Sequence, residues 1–190
     1  EPNYKTKSCV KAADYDGDGD LDLFVGGRVL PGNYPQAVTS FIYRNDSKKG
    51  KIKFTDVTSS VAPALNTIGL TCDAIWTDFD NDGWIDLILA GEWMPLKFLK
   101  NDHGSFKDVT TSTGISNKAG WWNSIAAGDF DNDGDMDYIV GNLGENSFYT
   151  ASDSFPLHIY AKDFDQNGVL ECITTKFIKD RVGGQMKEFT

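Results

Sequence analysis

The sequence is short of the residues on which most nucleophilic catalysis and soft-metal binding depend. Its 190 residues include two histidines and three cysteines. His103 and His158 have no partner at metal-ligand spacing, and Cys9, Cys72 and Cys172 make an odd set with no CxxC pair. The cysteines read as small buried hydrophobes, with a disulfide left open. There is no Gly-x-Ser-x-Gly elbow and no phosphate loop. The two glycines of "GNLGEN" at 141–146 read as a turn. No apolar run approaches the roughly 18 residues of a membrane-spanning helix, and no long stretch carries a helical period. Insertion of this segment into a membrane is therefore not expected.

Basic charge is also scarce. Eighteen Lys and Arg face 28 Asp and Glu, for a formal net charge of −10. The deficit is not spread over a polyanionic surface, because more than half of the acidic residues sit in four short stretches. Outside these stretches Lys and Arg outnumber Asp and Glu. Four bound divalent cations would bring the whole close to neutrality. Neither nucleic acid nor an anionic membrane is an implied partner.

The four stretches are copies of one pattern: "DYDGDGDLD" from residue 14, "DFDNDGWID" from 78, "DFDNDGDMD" from 129 and "DFDQNGVLE" from 163. Positions 1, 3 and 5 of this nine-residue frame are Asp14, Asp16 and Asp18 in the first copy. They are Asp78, Asp80 and Asp82 in the second, and Asp129, Asp131 and Asp133 in the third. In the fourth they are Asp163, Asp165 and Asn167. Position 6 is always glycine, and position 9 is Asp22, Asp86, Asp137 or Glu171. Position 7 varies as Asp20, Trp84, Asp135 and Val169, which fits a site that uses only the backbone carbonyl there. Oxygen donors at alternate positions, closed by a glycine turn, suit a hard cation. Calcium takes about six to eight oxygens, whereas magnesium prefers to keep several waters. Up to four Ca²⁺ are expected. Four metal-free acidic turns are the alternative, and they would leave clustered carboxylates repelling one another. Position 2 is always aromatic and position 8 always apolar, which predicts that each loop is pinned to a core beneath it.

An EF-hand would need a bidentate Glu at position 12 and a helix after it. Position 12 here is Val25, Leu89, Val140 or Thr174, inside short runs rich in β-formers. The segments before the loops, such as "SCVKAA" and "CDAIWT", also read as strands. Further strands are predicted at "SFIYRND" (40–46) and "PLKFLKND" (95–102), and at the matching markers "KIKFTDVT" (51–58) and "HGSFKDVT" (103–110). The predicted fold is all-β, built of four-stranded antiparallel units like the blades of a β-propeller. The third unit is too short for its outer hairpin, and "GENSFYTASDSF" stands in its place.

On these residues the chain resembles the FG-GAP or VCBS repeat proteins, whose loops match the calcium loops of integrin α-subunit propellers. "GWWNSIAAGDFDNDGD" and "GNLGENS" are similar to bacterial repeat proteins associated with ASPIC/UnbV domains. The blades are expected at about 8–58, 70–110, 121–155 and 156–190, which is three blades and the start of a fourth within one segment, 1–190. Propellers typically close with four to eight blades. The expectation is therefore a partial propeller belonging to a longer chain, completed by the rest of that chain or by another subunit, with a closed four-bladed ring as the alternative.

The resemblance implies an extracellular or cell-surface protein, bacterial, secreted or outer-membrane associated. Calcium sites argue the same way, since millimolar calcium keeps modest sites filled outside cells. The expected role is protein or glycan binding, or scaffolding, at the face opposite the calcium loops. No catalytic residue is expected. Arg28, Trp93, Trp121, Trp122, Asn142 and Asn146 are the candidate ligand-binding residues of that face. For the three tryptophans, inter-blade packing is the competing reading, and for Trp76 and Trp84 packing is expected outright. The rival function is a calcium-dependent polysaccharide lyase on the same scaffold, for which Arg28, Lys97 or Arg181 would supply the basic group.

Overall fold

The computed structural model describes residues 5–144 and 147–190. The first unit is a four-stranded antiparallel meander of β1 (Thr6–Ala13), β2 (Asp22–Val29), β3 (Phe41–Asn45) and β4 (Phe54–Asp56). The second repeats it with β5 (Leu70–Thr77), β6 (Asp86–Met94), β7 (Lys97–Asp102) and β8 (Ser105–Asp108). The third unit has only β9 (Gly120–Gly128) and β10 (Asp137–Asn142). The fourth has β11 (His158–Lys162), β12 (Glu171–Lys179) and β13 (Met186–Phe189). Every ladder is antiparallel, and each acidic loop joins the first two strands of its unit. As expected from its length, the third unit has no outer hairpin: between β10 and β11 the described residues carry only a bridge from Ser152 to Phe155.

The recurring sequence markers have local causes. After β4, Asp56 accepts the Thr58 N–H at 3.0 Å, and the Thr58 hydroxyl accepts the Ile42 N–H at 3.0 Å. After β8, Asp108 and Thr110 do the same, with Phe98 as the donor to the hydroxyl. The "DVT" marker thus ties the exit of the fourth strand to the start of the third. A one-turn helix, α1 (Thr58–Val61), and a 3-10 turn (Pro63–Thr67) follow and lay Leu65 into the core, an element the sequence pattern had not announced.

The core lies between units, not within them. Successive side chains of a strand point to opposite faces, and β6 uses both. Leu87 and Leu89 pack with Tyr15, Phe24, Ile42 and Leu65 against the first unit. Ile88 and Ala90 pack with Ile125, Trp122 and Tyr138 against the third. The first strands of units one to three lie side by side. Asp73 of β5 binds Lys11 of β1 at 2.8 Å and accepts the Ile125 N–H of β9 at 3.1 Å. The second and third units also share a ladder where Glu92 and Met94 pair with Trp121 and Gly120.

Position 2 shows how this packing runs out. Tyr15 is buried against Trp76 and Phe106 of the second unit. Phe79 is half-buried against Phe98 and Tyr138. Phe130 and Phe164 are exposed, so the expected pinning fails in the last two loops because no following unit covers them. At position 8, Leu21 and Met136 are exposed as well.

The fourth unit does not continue the series. Leu170 N–H donates to the Gly32 carbonyl at 3.1 Å, and the Cys172 thiol lies 2.8 Å from the Tyr34 carbonyl. Gly32 and Tyr34 belong to the connection after β2, at the end of the first unit remote from its acidic loop. Three acidic loops therefore share one end of the strands, and the fourth lies by the other. The three cysteines are free thiols.

Candidate metal centre

Each loop is organised by its own carboxylates. The position 1 Asp accepts N–H groups from across the turn. Asp14 takes Gly17, Asp18 and Gly19 at 2.8–3.1 Å, and Asp78, Asp129 and Asp163 each take the N–H groups of positions 5 and 6. The position 5 side chain accepts the position 7 N–H at 2.8–2.9 Å in all four loops. That turns the loop so that positions 4 and 6 both take positive φ. Position 6 is the glycine, as expected. Position 4 was not singled out from sequence, although Asn81, Asn132 and Gln166 sit at φ of 58–63° and Gly17 at 76°. Asn is among the few residues that tolerate this region.

Position 9 has a structural duty besides any metal. Asp22 and Asp86 are fully buried. One oxygen of each accepts the position 2 N–H, from Tyr15 at 3.4 Å and Phe79 at 3.1 Å. The other accepts the backbone N–H of Asn45 at 2.8 Å and of Asn101 at 2.7 Å. The Asn of each Asn-Asp marker therefore docks the third strand onto its loop. Asp137 and Glu171 keep the first bond, from Phe130 and Phe164.

The remaining oxygens converge. In the first loop Asp14, Asp16 and Asp18 each place an oxygen within 4.8 Å of the others. In the other loops the convergent sets are Asp78, Asp80 and Asp86; Asp129, Asp131 and Asp137; and Asp163, Asp165 and Glu171. Asp82 and Asp133 lie outside these sets, as does Asp22. Position 7 (Asp20, Trp84, Asp135, Val169) enters through its backbone N–H bond to position 5. The residues fit a hard cation on a specific ground: Asp16 Oδ1 is buried and has no hydrogen-bond donor. A buried carboxylate oxygen without a partner is costly unless a cation satisfies it.

Burial pushes the Asp22 and Asp86 carboxyls up to about 6, against the backbone N–H groups that pull them down. Asp16 is raised too, by burial and then by Asp18. The ordinary aspartate value is about 3.9, so the folded, metal-free protein holds these protons more tightly than the unfolded chain. Their stabilising contribution is complete below about pH 4 and is lost as pH rises past 6. Carboxyl ¹³C titration in chelator is expected to show two aspartates with midpoints near 6. If every aspartate titrates below about 4.5, in the range of exposed carboxylates, the burial argument fails.

Lys100 enters the second loop. Its ammonium contacts Asp80 and lies 2.9 Å from Asp82. This contact raises the lysine's pKa, chiefly through Asp80, and lowers that of Asp82. Trp84 packs on His103 with ring centroids 4.7 Å apart, in a contact between loop and turn. Trp76 lies among Tyr15, Phe24 and Phe106, as expected of a packing residue.

At the opposite end Arg28 and Trp121, among the candidate ligand-binding residues, converge on the Glu92 carboxylate. Glu92 is buried, and it binds the Arg28 guanidinium, the Tyr34 hydroxyl at 2.9 Å and the Trp121 indole N–H at 2.5 Å. Trp93 donates to Tyr34 at 2.6 Å, and its ring lies 5.6 Å from that of Trp121. Trp93 takes a φ of 58°, at the irregularity where β6 meets β9. Burial, and then Glu92, push the Tyr34 hydroxyl up to about 12. Arg28 is thus committed to Glu92 by charge, although its Nη1 is buried without a partner. Trp122 packs in the core between units two and three. Arg28, on β2, joins the first unit to Glu92 of the second. Trp93 and Trp121 also line a cavity of about 730 Å³, with Asn142, Tyr149, His158 and Tyr160. Asn146 lies outside the described residues.

These features define a partial, propeller-like all-β fold with an acidic loop in each unit. A family model for the FG-GAP-like repeat matches residues 78–140, from the second loop through most of β10. The chain carries an FG-GAP-like repeat, in line with the resemblance of its loops. No curated protein matches the chain. Among the described residues no helix is long and apolar enough to cross a membrane.

Proposed function

We propose that the chain is a calcium-stabilised, propeller-type module of an exported or cell-surface protein, serving binding or scaffolding and not catalysis. The observation that carries the calcium reading is the convergence of three carboxylates in each of four loops, with a buried Asp16 oxygen left without a donor in the first. Calcium at about 100 times its Kd adds roughly 2.7 kcal/mol per site. For a chain of this size chelation is then expected to lower the melting temperature by about 5–10 °C per occupied site. An unchanged melting temperature would remove calcium from the account. Within one loop, Asp133→Ala removes the position 5 side chain that turns the chain. Asp135→Ala leaves the position 7 carbonyl in place. Calorimetric titration should show the first weakening calcium binding far more than the second.

The module's partner is a protein or glycan, and the cavity between the third unit and β11 is where it would sit. Tryptophan faces and the Asn142 amide there suit stacking and hydrogen bonding. A further blade, from the rest of the chain or from another subunit, would cover the third unit, where Phe130 and Ile139 stand exposed. For two of its three candidate basic groups the lyase reading is weakened by ion pairs: Arg28 is held by Glu92, and Lys97 lies 3.0 Å from Asp108.

A further inference from the structure

We propose that Lys100 is a resident counter-ion of the second loop, holding two of its carboxylates in place of part of a metal's charge and making that loop the weakest calcium site of the four. The proposal rests on the calcium reading above. It concerns which loop yields its metal first, an order that the ligand charges of the nine-residue frame alone would assign to the fourth loop.

The position of Lys100 is set by its neighbours on β7. Leu99 is fully buried. Asn101 is fully buried too. Its N–H binds Asp86, and its amide donates to the Tyr15 and Ile85 carbonyls at 2.8 and 2.9 Å. Between two such anchors the lysine Cα cannot drift. Its side chain has two carboxylate neighbourhoods to choose from, the acidic loop and the turn after β7.

The first unit shows the other choice. Arg44 occupies the matching place before Asn45, and its Nε binds Asp46 of the turn at 2.9 Å. In the second unit the matching turn carboxylate is Asp102. His103 and Lys107 already contact it at 3.0 and 3.3 Å. Lys100 instead reaches the loop and contacts both Asp80 and Asp82. Among the described residues, no Lys or Arg forms an ion pair with the carboxylates of the other three loops.

The consequence for affinity follows from charge and from geometry together. Ligand charge tunes calcium affinity. By ligand charge alone the fourth loop ranks lowest, because Asn167 replaces a carboxylate. Asn167 still offers a neutral oxygen, however, whereas Lys100 adds a positive charge and occupies oxygens of Asp80 and Asp82. A metal entering the second loop must first displace the ammonium. The second loop therefore falls below the fourth.

The second loop also carries its own reporter. Trp84 is the only tryptophan within any of the four nine-residue frames. Terbium bound in that loop should luminesce when indole is excited at wavelengths where tyrosine does not absorb. The full 190-residue chain would be titrated with terbium as wild type, Lys100→Gln, Lys100→Arg and Arg44→Gln. Loss of the lysine charge is expected to lower half-saturating terbium at least roughly tenfold, because a unit charge a few ångströms away near a protein surface is worth that much or more. Lys100→Arg and Arg44→Gln should stay within about twofold of wild type, on the same electrostatic ground. Circular dichroism of each variant confirms that the chain is folded. Equal half-saturation of wild type and Lys100→Gln overturns the proposal alone. Absence of indole-sensitised emission from both overturns it together with the calcium reading.

Discussion

Replacing Glu92 with alanine is expected to destabilise the chain by about 3–5 kcal/mol, the cost of breaking a buried ion pair by removing one partner. The side chain is 4% exposed and serves three donors from three places: Arg28 on β2, Tyr34 in the connection after it, and Trp121 on β9. It stands on β6, so one carboxylate ties the first three units together at the end away from their acidic loops. Its loss strands a guanidinium that already has one nitrogen without a partner, a phenol that accepts from Trp93, and an indole N–H. Glu92→Gln keeps an acceptor oxygen and should lose less. Urea unfolding followed by tryptophan fluorescence would read both. Because Trp93 and Trp121 sit on this network, their emission should also shift in the native state of Glu92→Ala. A loss below about 1 kcal/mol, typical of an exposed pair, would mean that the network does not hold the units together.

Phe24→Ala is expected to cost about 3–5 kcal/mol, and Ile139→Ala no more than about 0.5 kcal/mol. The two residues hold the same register position, two residues after position 9 of their loops. So does Ile88, and the comparison of the three isolates tertiary context from local structure. Phe24 is fully buried, edge-on to Trp76 with ring centroids 6.3 Å apart, and faces the second unit. Ile88 is fully buried and faces the third. Ile139 is 59% exposed, because β11–β13 do not cover that face. Equal losses from the two alanine variants would show that something covers Ile139 in solution. Attachment of a further blade should turn the Ile139 substitution into a costly one.

Much of this protein was legible in its sequence because its organising bonds are short-range. Within each loop, donors and acceptors from Asp14 to Gly19, or from Asp163 to Gly168, lie no more than five residues apart. The strands on either side follow from β-formers bounded by turn residues, and all of the predicted strands are present. The markers were legible as repeats before their purpose was. Only the structure shows that the side-chain amides of Asn45 and Asn101 bind the Leu21 and Ile85 carbonyls of their loops, while their backbone N–H groups reach Asp22 and Asp86. Similarly, Thr58 and Thr110 serve to receive one from the third strand.

What tertiary structure alone decided involves residues far apart in the chain. Glu92 meets Arg28 across 64 residues and Tyr34 across 58. No spacing rule links them, so Arg28 looked free to bind a ligand. Lys100 reaches a loop 20 residues upstream, whereas Arg44 at the matching place binds Asp46 of its own turn. Four nearly identical loops met different fates. Tyr15 is buried, Phe79 half-buried, and Phe130 and Phe164 exposed, since burial of position 2 depends on whether another unit follows. The sequence by itself determined the loops and the strands they join, because local hydrogen bonds need no distant partner. Which faces are covered, which charges are matched and where the fourth loop lies were decided by packing between units, since apolar burial and ion pairing depend on what the rest of the fold brings alongside.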